Sequence, residues 1–283
     1  MTAAADVNGT ISPDGRHLSF LDWQSGDLML RDLRAGTDRR LTGTGKWPAS
    51  NEYAEKSAIS KDGGKIAYAW FNEAGFYDLR VVPTAGGEPR PLYRNEEAGF
   101  VQPTSWTPDG KHILTLFFRK DNISQIALVD AESGTVRVLK SLNWVYPKRM
   151  EISPDGRWIV YDSFPGDKPA PRDIYLLALD GSRETKLVDS PGEDLFPAWS
   201  PRGDEVVFPS LRARGFRLRH LRRLSYIDLS LTGELPERAQ VHLHDLLLDP
   251  PGVVLDLFSR QLLSLDVVPP VDLHDFLSFS FFA

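Results

Sequence analysis

Cysteine is absent from the 283 residues, which excludes a disulfide framework, a thiolate metal site and a cysteine nucleophile. A basic excess is absent too. The 33 Lys+Arg stand against 39 Asp+Glu, a net charge of −6, which argues against a general nucleic-acid binder. No apolar run reaches the roughly 18 residues of a membrane-spanning helix, so no membrane span is expected. The first ten residues, MTAAADVNGT, lack the basic and apolar regions of a secretory signal, and the literal reading of localisation is cytoplasmic. Neither the G-x-S-x-G elbow of serine hydrolases nor the phosphate loop G-x-x-x-x-G-K-[ST] occurs, so no catalytic residue and no cofactor are assigned. The segment Gly43-Thr-Gly45-Lys46 has the wrong spacing for a phosphate loop and is read as a connecting loop.

What is present is a repeat. ISPDG at Ile11–Gly15 returns as ISKDG ending at Gly63, WTPDG ending at Gly110, ISPDG ending at Gly156 and WSPRG ending at Gly203, with the glycines 48, 47, 46 and 47 residues apart. Four positions before each glycine stands Ile11, Ile59, Trp106, Ile152 or Trp199; three after it stands Leu18, Ile66, Ile113, Ile159 or Val206. Two further on come Phe20, Tyr68, Thr115, Tyr161 and Phe208. Proline presets φ in the turn, aspartate bonds its own backbone, and glycine takes the left-handed position that closes a hairpin. Alternating apolar residues on both sides make half-buried strands. A third strand is expected over Asp27–Leu33, Tyr77–Val82, Gln125–Val129 and Asp173–Leu179. A Gly turn then leads to a closing strand such as Arg40–Thr42 or Lys186–Val188. Four short strands in about 47 residues make the blade of an all-β propeller, with about six blades if complete. Four of these blades are clear and a fifth is partial.

The unit S-P-D-G-x-x-ϕ-x-ϕ … D-ϕ-Y-ϕ … G … L, best preserved in Ser153–Val188 and Ser12–Thr42, resembles the TolB-type propeller repeat, a cousin of the WD-repeat blade. The resemblance covers roughly residues 7–208. Similar propellers occur in TolB, ahead of the catalytic domain in prolyl-oligopeptidase-like peptidases, and as interaction modules of large bacterial proteins. The resemblance therefore implies binding of a protein, a peptide or other domains of a larger protein, and a periplasmic location for TolB-like relatives. The alternative it implies is the regulatory propeller of such a peptidase. A propeller lyase or sugar-processing enzyme is a third possibility.

The expected binding place is the mouth of the central channel, reached by loops about seven or eight positions before each turn glycine. These supply Glu55, Lys56, Gln102, Lys148 and Arg149, with Tyr53, Tyr146 and Phe196 beside them. A mixed polar and aromatic set suits a peptide or protein contact. The turn aspartates Asp14, Asp62, Asp109 and Asp155 are read as turn formers rather than calcium ligands. His17 and His112 are read as exposed strand residues, and Trp70, Phe71, Phe117 and Phe118 as packing between blades. His242 and His244 have metal-ligand spacing but no placed third ligand, so no metal is assigned.

After Phe208 the character changes. All ten Lys and all seven Trp lie at or before Trp199, and residues 209–283 hold 18 Leu, as many as the preceding 208. Arg212–Arg223 carries six Arg and no acid, a stretch that could contact phosphates or anionic lipid. Residues 1–208 are therefore read as blades and 209–283 as a divergent tail. Two accounts of the tail stand: a shift of reading frame near Phe208, or degenerate last blades in the correct frame with Asp249-Pro-Pro-Gly252 as a late turn.

Overall fold

The computed structural model describes residues 9–43, 51–143, 145–166, 170–189, 191–212 and 215–222, all within one compact unit, Met1–Leu246. Every regular element among them is a β-strand. The first blade is β1 (Thr10–Ile11), β2 (His17–Asp22), β3 (Asp27–Asp32) and β4 (Thr37–Arg40). The second is β5 (Tyr53–Ile59), β6 (Lys65–Phe71), β7 (Tyr77–Pro83) and β8 (Arg90–Arg94). The third is β9 (Ala98–Trp106), β10 (His112–Arg119), β11 (Ser124–Asp130) and β12 (Val136–Leu142). The fourth is β13 (Met150–Ile152), β14 (Trp158–Ser163), β15 (Asp173–Ala178) and β16 (Glu184–Lys186). In each of the four, the strands pair antiparallel in chain order. In the fifth, β17 (Glu193–Asp194) and β18 (Ala198–Trp199) share one edge of β19 (Glu205–Arg212), and β20 (Gly215–Arg222) takes the other. Sheet pairing thus runs through Phe208 and on to Arg222; the tail from 223, with His242, His244 and Asp249–Gly252, lies outside the described residues.

The hairpin turn works as the sequence expects. Gly15 N–H donates to Ser12 O at 2.8 Å with Gly15 at φ +68°, while the Ser12 hydroxyl donates to Asp14 Oδ1 and accepts His17 N–H. The same bonds recur at Ser60/Asp62, Thr107/Asp109 and Ser153/Asp155. In the fifth turn Arg202 occupies the aspartate's place, and Asp204, just after the glycine, takes over by accepting the Ser200 hydroxyl at 2.9 Å. At Asp14, Asp62 and Asp109 the hydroxyl, then a backbone amide, hold the carboxyl below its usual range. A group depressed on folding stabilises the fold above its unfolded pKa of about 4 and loses that contribution as pH falls through the folded value. Denaturation midpoints should therefore drop as pH is lowered from about 5 to 3, and the drop should shrink when Asp14, Asp62 and Asp109 are all replaced by Asn; an unchanged profile would contradict this.

Alternation along each strand sends successive residues to opposite neighbours. From β6, Ile66, Tyr68 and Trp70 pack with Leu21, Leu28 and Leu30 of the first blade, while Ala67 faces Trp106, Ile113 and Phe117 of the third. From β10, Leu114 and Leu116 turn the other way, onto Ile152, Ile159 and Tyr161. Val160, Ile174 and Leu176 meet Trp199, Val206 and Phe208. The alternate apolar positions of the repeat are thus the interfaces between blades.

Two expectations need correction. The closing strands run over Thr37–Arg40 and Glu184–Lys186 rather than Arg40–Thr42 and Lys186–Val188. They start close behind the turn glycine, and the apolar residue that follows leaves the strand to fill the core. Leu41 is buried against the first and second blades, and Thr42 Oγ1 donates to the buried Asp27 at 2.9 Å. His17 and His112 are half-buried rather than exposed, since the strands they open are already covered there.

Two stitching devices escape a sequence reading. The first residue of the D-ϕ-x-ϕ strand holds a cation of the fourth strand, as Asp78–Arg94 at 2.8 Å and Asp173–Lys186 at 2.9 Å, with Gln125–Ser141 substituting in the third blade. In addition, an arginine of each of the outer strands β4, β8 and β12 forks onto two carbonyls of the next blade's turn. Arg39 reaches Thr84 and Ala85, Arg90 reaches Ala131 and Glu132 at 2.6 and 2.8 Å, and Arg137 reaches Leu179 and Asp180 at 3.1 Å.

Candidate functional site

The inner strands lose regularity at the positions that the sequence marks. Lys56 is the extra residue of a bulge in β5, at φ +41°, where the register skips between Glu55 and Ser57. The register of β9 skips at Thr104, two residues after Gln102. Arg149 lies just outside β13, and Phe196, at φ +48°, separates β17 from β18. A bulge re-aims a side chain out of the pleat, and bulky residues in the left-handed region persist only where their surroundings hold them.

The residues fall into two groups at one end of the blades, where second strands finish and inner strands begin. In the second blade, the Tyr53 and Tyr77 hydroxyls meet at 3.0 Å, and Tyr77 donates to Glu55 Oε2 at 2.9 Å. Tyr53 stacks on Phe71, and Tyr77 sets its edge against Phe71 and against Phe100 of the third blade. Burial, then these neighbours, push the Tyr77 phenol far above its ordinary pKa, so it stays a neutral donor. In the fourth blade, the Lys148 ammonium lies 5.4 Å from the centre of the Tyr146 ring, which also meets Phe118 edge to face. Arg149 stands 3.8 Å from Glu151, and Glu151 Oε2 accepts the Trp199 N–H at 3.4 Å. The structure does not join Gln102 to either group; it pairs along the strand with Leu116. Phe196 is 43% exposed in the fifth blade.

Of the four aromatics expected between blades, Trp70 and Phe117 are there. Phe118, half-buried, meets Tyr146 of the next blade, whereas Phe71, also half-buried, packs on Tyr53 and Tyr77 of its own blade.

The sequence reading also missed the support beneath Tyr146–Arg149. Asp162, at the end of β14, accepts the backbone N–H groups of Lys148 at 3.2 Å and Arg149 at 2.8 Å. Its partner Arg172 lies at 3.0 Å, donates to Tyr146 O, and stacks on Phe164. Burial pushes the Asp162 carboxyl upward, against the pull of Arg172 and the two amides.

Antiparallel four-stranded blades, packed face to face with the first strand innermost, define a β-propeller. No family model matches the chain. The uncharacterized protein Atu1656 of Agrobacterium fabrum is 32% identical over 206 residues, 72% of this chain and 66% of that protein. Dipeptidyl-peptidase 5 of Porphyromonas gingivalis is 38% identical over 64 residues, 22% of this chain and 9% of the peptidase. The chain thus spans just under two thirds of one curated relative and under a tenth of the other. Among solved structures, the putative TolB from Agrobacterium tumefaciens superposes with a TM-score of 0.61 at 27% identity, covering 76% of each chain. A prolyl endopeptidase structure superposes at 0.58 with 17% identity, over 76% of this chain and 34% of the other. The chain folds as a β-propeller and is similar to the putative TolB in sequence and structure.

Proposed function

We propose that this propeller is a non-enzymatic module that captures a protein or peptide segment at the mouth of its channel. The observation that carries this reading is the placing of exposed apolar surface. Among the described residues, three of the four large hydrophobic side chains left exposed, Trp23, Tyr146 and Phe196, belong to the mouth end. Aromatic anchors beside cations and hydroxyls are what peptide recognition uses. The lack of a G-x-S-x-G elbow supports the non-enzymatic part. Among the described residues no helix is long and apolar enough to cross a membrane, and the net charge of −6 does not favour nucleic acid.

The local likeness to dipeptidyl-peptidase 5 favours one second reading, a regulatory propeller acting with a peptidase domain. Selection of random displayed peptides on the purified chain tests the first. Enriched peptides should bind at least about tenfold more weakly to the Tyr146→Ala/Lys148→Ala/Arg149→Ala variant. Equal binding would move the site elsewhere, failure to enrich any peptide would overturn capture, and turnover of peptides would overturn the non-enzymatic reading.

A further inference from the structure

The repeat supplies an internal control for every position. Six residues after the turn glycine stand Leu21, Ala69, Leu116 and Pro209 in four blades, and Asp162 in the remaining one. Blades therefore fold without a charge there. Asp162 and Arg172 are nevertheless almost wholly enclosed, with side-chain exposures of 0% and 5% at a separation of 3.0 Å. A buried ion pair seldom stabilises more than apolar residues of similar volume. What this pair does is fix one loop. Three of its contacts go to the backbone of Tyr146, Lys148 and Arg149. The backbone of Arg172 is itself tied to the fifth blade, where Asp194 N–H donates to Arg172 O at 2.8 Å.

Fixing the loop through its backbone leaves its side chains for solvent. Tyr146 is 43% exposed. Among the described residues the Lys148 ammonium makes no ion pair and lies over the Tyr146 ring. Among the described residues the Arg149 guanidinium pairs with Glu151 alone, at 3.8 Å. Because the Asp162 carboxylate is engaged with backbone amides and Arg172, it leaves these two cations to an outside anion. We infer that residues 146–149 dock an acidic peptide segment carrying an aromatic or apolar residue beside its carboxylates, and that Asp162 and Arg172 are the positioning residues that hold this loop ready. This rests on the peptide-capture reading and names the partner's chemistry and the blade that takes it.

Two fluorescent peptides of equal length test it, one with Glu and Asp flanking a Phe, the other with Lys in their place, measured by polarisation against the whole chain at low and physiological salt. The acidic peptide should bind, weaken with salt, and lose at least about tenfold in affinity with Lys148→Ala/Arg149→Ala. Asp162→Leu/Arg172→Leu, which gives position 162 the apolar character of its sister blades and removes the cation that would be left without its carboxylate, should keep the denaturation midpoint and lose the same affinity. If that double variant does not fold, Asp162→Asn serves: hydrogen exchange at the Lys148 and Arg149 amides should speed up and capture should fall with it. Equal or tighter binding of the Lys peptide overturns the acidic partner, and undiminished capture by a folded Asp162 variant overturns the positioning role. If selected peptides bind at the mouth while the acidic peptide does not, this inference falls and the capture reading stands; no binder of any kind sinks both.

Discussion

Replacement of Trp106 by alanine is expected to destabilise the fold by about 4–5 kcal/mol, a large part of the stability of a typical domain. Trp106 is 1% exposed and packs where the third blade meets the second. Its neighbours there include Ala58 and Ala67. These side chains are too short to move into the space an indole vacates, so the cavity would stay open. The indole N–H also donates at 2.9 Å to Ala58 O, on the inner strand of the second blade. That carbonyl would lose its donor in a site with little access to water. Urea denaturation of the whole chain checks this, with Trp106→Phe expected to lose roughly half as much because it fills most of the volume. A loss below about 2 kcal/mol for the alanine variant would mean that this interface relaxes far more readily than its packing implies.

Gly134→Ala is expected to cost roughly 3 kcal/mol or more, whereas Gly110→Ala should cost only about 1–2 kcal/mol. Both glycines have the same left-handed backbone, φ +74° and +68°, so the intrinsic penalty of a Cβ is shared. Their surroundings differ. A Cβ on Gly110 meets nothing within 4 Å, while one on Gly134 would lie 1.9 Å from Leu92 O and 2.9 Å from Leu92 C. The obstacle is backbone, so relief requires moving the outer strand of the second blade. That movement would also pull Arg90 from the carbonyls of Ala131 and Glu132 in the same turn. Thermal denaturation of the two variants side by side measures the contrast; equal losses would show that the close approach at Leu92 is not held in solution.

The fold was legible because its signals are short-range. Each turn is closed by bonds spanning two to five residues, as from Ser12 to Asp14 and to His17, and each apolar alternation lies within one strand. The candidate site was legible only in part. Counting back seven or eight residues from a glycine lands in or just before an inner strand, and so finds Lys56 and Lys148, with Tyr53 and Tyr146 beside them. It does not tell that Phe71 turns onto the tyrosines of its own blade while Phe118 meets one of the next, since Trp70–Phe71 and Phe117–Phe118 are indistinguishable as pairs of adjacent aromatics. The support under the fourth-blade loop did leave a trace, an Asp where sister units carry Leu, Ala or Pro. Its meaning depended on Arg172, ten residues away across a turn, being folded back against it.

By itself the sequence determined the all-β class, the blade length and the faces that pack, because a turn of fixed chemistry every 46 to 48 residues forces strands whose two apolar sides must both be covered. Tertiary structure alone decided how blades are tied together and which loop is held for binding. The arginine forks, the indole bond from Trp106 to Ala58 and the close approach at Gly134 join residues some 40 or more positions apart. No local pattern encodes such a meeting, since it exists only once neighbouring sheets have been brought face to face by burial of the surface between them.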